Sequence, residues 1–158
     1  MLLNIDVQFA VDAKAIVSQD QLREWMLGAY NQSIDNSVNQ KEVEVGQYDA
    51  VIRIIEEQES QQLNHSYRGY QKPTNVLSFS YEDLQNYFGD LAICLSVVEN
   101  EAFQQGKQVK DHLAHMVVHG TLHLLGYDHQ DDNQATKMEA LEISILDKFG
   151  IANPYSPV

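Results

Sequence analysis

The chain has a single cysteine among its 158 residues, so Cys94 cannot form an internal disulfide, which suits a reducing cytoplasm. No apolar run approaches the roughly 18 residues that a membrane span requires. The first apolar residues are broken by Asp6 and Asp12 and follow no basic segment, so no secretory leader is expected. Basic residues are scarce: ten Lys and Arg stand against 23 Asp and Glu, for a net charge of -13. A protein that coats nucleic acid by bulk electrostatics is normally basic over a whole face, so that class is excluded, and any anionic ligand needs a local basic site. Repeats and low-complexity tracts are missing as well. With 44% hydrophobic residues the chain is long enough for one packed core, and one domain over residues 1–158 is expected.

What is abundant is histidine in one place. Four of six histidines fall in His115-Met116-Val117-Val118-His119-Gly120-Thr121-Leu122-His123-Leu124-Leu125-Gly126-Tyr127-Asp128-His129. The surrounding pattern predicts a helix over Gln108–Leu125, with Val109, Leu113, Met116, Val117, Gly120 and Leu124 on one apolar sector. Val118, Leu122 and Leu125 cover much of the far side, so the helix is internal. His112, His115, His119 and His123 share one narrow arc of it.

The remaining pattern predicts an α+β fold. Leu2–Phe9, Lys41–Val45, Asp49–Ile55, Val76–Tyr81 and Phe88–Leu95 read as strand material, the last two as an antiparallel pair. Ser18 and Gln21 form a capping box before a helix that packs Leu22, Trp25, Met26 and Ala29. Asn31–Gln40 and His65–Asn75 read as loops, and Glu56–Asn64 and Ser96–Gln105 as helices. Asp131 or Asp132 caps a last helix with Met138, Leu141, Ile145 and Phe149 on its packing face. The tail from Asn153 is expected to be irregular, because its prolines oppose helix.

Several imidazoles buried on an apolar helix cost about 1–3 kcal/mol for each one left unpaired, and a shared metal ion resolves that cost. His119 and His123 are one helical turn apart, about 5–6 Å, and can share an ion. His115, His119 and His123 as a ladder cannot, because its ends are about 12 Å apart along the axis. His129 would lie about 9 Å beyond His123 on a continuous helix, but Gly126 can adopt the left-handed conformation that turns the chain back. The expected ligands are therefore His119, His123 and His129; three imidazoles without thiolates suit one Zn2+, with other divalent transition metals possible, and leave a fourth position open, as in catalytic sites. His112 and His115 can orient neighbours or line the cleft, and His115 is also a candidate catalytic residue. Asp128 either orients a ligand or caps the turn.

Zinc peptidases place a glutamate general base directly after the first helical histidine; this chain has Gly120 there, which weakens a peptidase reading. Hydrolysis of an ester remains open to a metal site. HGTLHLLGYDH at 119–129, LNHSYRGYQKPTNVLSFSY at 63–81 and GDLAICL at 89–95 together resemble the bacterial YbeY family of ribosomal-RNA maturation endoribonucleases. The resemblance is ordered and spans most of the chain. It implies a small mixed β-sheet of about four strands packed with helices around a central zinc-binding helix, and zinc on the three histidines above. It also implies single-strand-specific cleavage in 16S rRNA processing and ribosome quality control, and a functional arginine, Arg68. Where the family commonly has Lys after YRG, Tyr70 stands here, with Lys72 nearby. A guanidinium can hold a phosphate through two parallel hydrogen bonds, so Arg68 is the second catalytic candidate beside His115. Tyr67 and Tyr70 can stack on single-stranded bases. Single-stranded RNA, a small-subunit ribosomal protein and an Era-type GTPase are the implied partners, in the cytoplasm and away from membrane. The alternatives are a metallopeptidase or other small metallohydrolase, and a ribosome-assembly factor with mainly structural zinc.

Overall fold

A computed structural model describes residues 2–35, 47–81 and 83–156. The order is β1 (Leu2–Phe9), α1 (Gln19–Asp35), β2 (Gln47–Ile55), α2 (Glu57–Arg68), β3 (Val76–Phe79), β4 (Tyr87–Cys94), α3 (Leu95–Gln105), α4 (Val109–Leu124) and α5 (Asp132–Lys148). The four described strands form one mixed sheet in the order β1-β2-β4-β3. β1 and β4 both run parallel to β2, while β3 runs antiparallel to β4, as the two closely spaced runs predicted. The expected strand over Lys41–Val45 lies outside the described residues.

Two alternating sets of side chains explain why helices cover both faces of the sheet. Ile5, Val7, Ile52, Ile54, Leu91 and Ile93 join the main core with α1 and α4. Ile55, Leu77, Ala92 and Cys94 form a smaller cluster covered by Leu63 of α2 and Val97 of α3. The α4 helix is the centre of the main core. Ten of its residues are buried, and α1, α3, α5, β3 and β4 all pack on it. Trp25 is core, as expected, at 4% exposure.

Two loop expectations are corrected. Asn31–Asp35 continue α1 instead of beginning a loop, because a tertiary partner holds them: Gln32 donates to Ser144 of α5 at 2.8 Å and Ser33 is buried. His65–Arg68 likewise continue α2, which ends only where Gly69 takes a left-handed φ of 75° and donates its N–H to the His65 carbonyl. The buried face of α2 is polar. Ser60 and Asn64 bond the backbone of Thr74 and Lys72, tying the following loop down along the helix. Arg68 is therefore the last residue of a helix. The Ser18–Gln21 capping box forms in both directions, at 3.0 and 3.1 Å.

At Gly120, α4 packs closely against the sheet. A Cβ there would lie 2.7 Å from Leu91 Cδ2 and 3.2 Å from Ser78 Oγ and Val76 Cγ2. Ser78 Oγ also donates to the Gly120 carbonyl at 3.1 Å. Gly120→Ala is expected to overpack this contact and destabilise the fold by about 1–3 kcal/mol, measured by denaturant unfolding, even though alanine favours helix.

Candidate metal centre

The end of α4 builds the site. Tyr127 N–H bonds the Leu122 carbonyl and Gly126 N–H bonds the His123 carbonyl, each at 3.0 Å, with Gly126 at a φ of 96°. This pair of bonds is a Schellman motif, and it satisfies carbonyls that the helix end leaves free. The turn carries His129 back as predicted: its ring centroid lies 5.7 Å from that of His119 and 5.2 Å from that of His123. Asp128 accepts the His129 backbone N–H at 2.7 Å and so caps the turn, with its carboxylate 3.9 Å from the ring Nδ1.

One ring nitrogen from each of His119, His123 and His129 lies within 4.8 Å of the others. The Nε2 atoms of His119 and His123 are 3.1 Å apart. Burial, reinforced by the neighbouring His119 and His129 rings, lowers the pKa of His123. That keeps His123 in the neutral form a metal ligand needs.

Behind this set lies a residue that the sequence pattern did not bring forward. Glu142 of α5 is 1% exposed and takes His115 Nε2 on one oxygen; on the other it takes His119 Nδ1 at 3.4 Å and the Tyr155 hydroxyl at 3.0 Å. Burial alone would raise its pKa, but the hydrogen bonds from His115 and His119 outweigh it and hold the carboxyl at about 2. A legible signal existed: Glu142 falls at i+4 from Met138 and i−3 from Ile145, a charge inside an apolar stripe. On the real packing face, Met138, Glu142, Ile145 and Leu146 are buried, while Leu141 and Phe149 are only partly so.

His115, the other catalytic candidate, is buried, with Nε2 bonded to Glu142 and its ring edge-on to Tyr155. His112 bonds Glu101 at 3.0 Å, and Asn75 donates to the same carboxylate at 3.1 Å. Burial lowers the pKa of His112 in spite of Glu101. Nδ1 of both His112 and His115 is buried without a partner among the described residues, which places the ring proton on Nε2, facing the carboxylate.

His119, His123 and His129 open onto a cleft of about 880 Å³ that Arg68 and Tyr67 also line. Sequence-distant candidates thus meet in one place. Tyr67 packs on Phe79 with ring centroids 4.7 Å apart, yet is 64% exposed. Tyr70 lies under both nearby cations, 5.7 Å from the Arg68 guanidinium carbon and 6.0 Å from the Lys72 ammonium. Tyr81, which also lines the cleft, and Tyr87 both donate to Asp90, and burial followed by that bond pushes Tyr81 up to about 12.

The family model described as Endoribonuclease YbeY matches residues 8–150. The chain belongs to that family. The YbeY family is one of endoribonucleases, so RNA phosphodiesters are the bond class and the chain is a hydrolase. A solution structure of TM1509 from Thermotoga maritima has a similar fold, with a TM-score of 0.58 and 22% identity, covering 92% of this chain and 91% of that one. Among the described residues no helix is long and apolar enough to cross a membrane.

Proposed function

We propose that this chain is a zinc-dependent, single-strand-specific endoribonuclease of 16S rRNA maturation and ribosome quality control, working in the cytoplasm. The observation that supports it best is the shared cleft of Arg68 and the three convergent imidazoles. His119, His123 and His129 hold one zinc ion, which supplies Lewis acidity toward a phosphodiester when bound. Three protein ligands facing a cleft favour a catalytic over a structural ion.

Arg68 clamps the phosphate through two parallel N–H donors and neutralises charge that grows in the transition state. Tyr67 offers an exposed ring to an unpaired base beside that phosphate, a contact that duplex RNA, with its bases stacked, cannot make. Asp128 caps the turn that presents His129, and Glu142, itself held by His115, orients His119. Peptide hydrolysis lacks its base, since a side chain at Gly120 would meet Leu91. A chain of net charge -13 gains from a basic partner when it approaches RNA; a small-subunit ribosomal protein fits that need, and an Era-type GTPase is the second partner proposed.

Zinc-loaded protein should cut a single-stranded ribosomal-RNA precursor and spare its duplex form. Chelation should remove the activity, and added zinc should restore it. Cleavage that persists unchanged after metal analysis shows zinc to be absent would sink this reading.

A further inference from the structure

The zinc ligand His119 has two ring nitrogens with different neighbours. Nε2 faces His123 Nε2 at 3.1 Å, whereas Nδ1 faces a carboxylate oxygen of Glu142 at 3.4 Å. A carboxylate accepts and cannot donate, so it fixes the proton of His119 on Nδ1 and leaves the Nε2 lone pair directed at the ion's position.

Glu142 is itself held from two further sides. His115, one turn before His119 on α4, takes one oxygen, and the Tyr155 hydroxyl donates to the other at 3.0 Å. Tyr155 belongs to the irregular C-terminal tail, which leaves α5 through one backbone bond, is tied to the body by Lys107 and is braced within itself by Asn153. Ile151 N–H bonds the Leu146 carbonyl at 3.0 Å, Lys107 Nζ donates to the Pro154 carbonyl at 2.6 Å, and Asn153 Oδ1 accepts the Tyr155 N–H at 2.9 Å. A cavity of about 340 Å³ lies between this tail and the start of α4, and the Tyr155 ring meets that of His115 edge-on at 5.5 Å. Tyr155 remains 45% exposed while its hydroxyl reaches a carboxylate that is 1% exposed.

We propose that Glu142 and Tyr155 are positioning residues for the metal centre, a tail-to-carboxylate relay that sets the tautomer and orientation of His119. The inference rests on the reading that His119 holds zinc. It assigns the C-terminal tail a function: docking of Tyr155 tunes how tightly the ion is held. Neither residue touches substrate.

The test uses the full chain, stripped of metal and titrated with zinc against a chromophoric chelator, with the Co2+ absorption spectrum as a second readout. Glu142→Gln keeps the shape but replaces one acceptor oxygen with a donor, and is expected to weaken zinc binding about 10–100-fold and to alter the Co2+ bands. Tyr155→Phe removes only a hydroxyl from a half-exposed side chain and is expected to fold normally, with a smaller loss in the same direction. His123→Ala separates the two ideas. Wild-type zinc affinity in that variant overturns the metal site and the relay together. If His123→Ala loses zinc while Glu142→Gln and Tyr155→Phe both bind as wild type, the relay alone is overturned. Should Glu142→Gln fail to fold, Tyr155→Phe decides by itself, wild-type affinity counting against the relay. Two zinc ions per wild-type chain, with one lost in Glu142→Gln, would instead make Glu142 a ligand and overturn its positioning role, since His115, His119 and Glu142 also place one ligand atom each within 4.8 Å.

Discussion

His123→Ala is expected to lose stoichiometric zinc and to drop RNA cleavage to background. His123 sits at the centre of the ligand set, with its ring centroid 4.6 Å from His119 and 5.2 Å from His129. Removing it leaves one imidazole from the helix and one from the turn, and two neutral ligands do not hold zinc against bulk water as three do. The fold should survive. Alanine favours helix, and the turn after α4 is made by backbone bonds of Leu122, His123, Gly126 and Tyr127, none of which needs the ring. Metal analysis and a cleavage assay on the same preparation check the result, with the metal-free melting temperature expected within about 5 °C of wild type. One zinc per chain in the variant would remove His123 from the site.

Arg68→Ala is expected to lower cleavage by about 10²–10³-fold while zinc content and fold stay as in the wild type. Its position makes the separation clean. Arg68 closes α2 on the rim of the cleft, and the helix is ended by Gly69 and tied to its loop by Ser60 and Asn64, so the guanidinium is not needed for the backbone path. The favourable interaction of a cation with the helix C-terminus is worth only about 0.3–1 kcal/mol. Arg68→Lys keeps the charge but not the planar fork, and should recover only part of the loss. Cleavage within twofold of wild type in Arg68→Ala would leave the phosphate without its proposed clamp and would favour an assembly factor with structural zinc.

The order of residues along the chain makes much of this legible. A stripe of apolar residues with histidines on one edge marks α4 as internal, and the spacing of His119, His123 and Gly126 selects the convergent ligands, because helical rise is a local property. The alternation in β3, the capping box at Ser18 and the cap at Asp131, whose Oδ1 accepts the Gln134 N–H at 2.8 Å, are legible for the same reason. Loop boundaries are not. Asn31–Asp35 and His65–Arg68 are polar and carry weak helical signals, yet Ser33 is buried and Gln32 reaches Ser144, 112 residues away, so distant packing extends the helix.

Residue order alone sets the chemistry that is available: three imidazoles at a helix end with a glycine break, a glycine where a peptidase needs glutamate, and an arginine in a tyrosine-rich segment. How these groups are used depends on the folded chain. Folding places Arg68 in the same cleft as the histidines, withdraws His115 to a buried carboxylate, and recruits Glu142 and Tyr155 from the far end of the chain. The physical reason is range. Helical spacing and turn conformation are set within a few residues, whereas the partner of a buried polar group is whichever side chain packing brings to it, and that depends on every element at once.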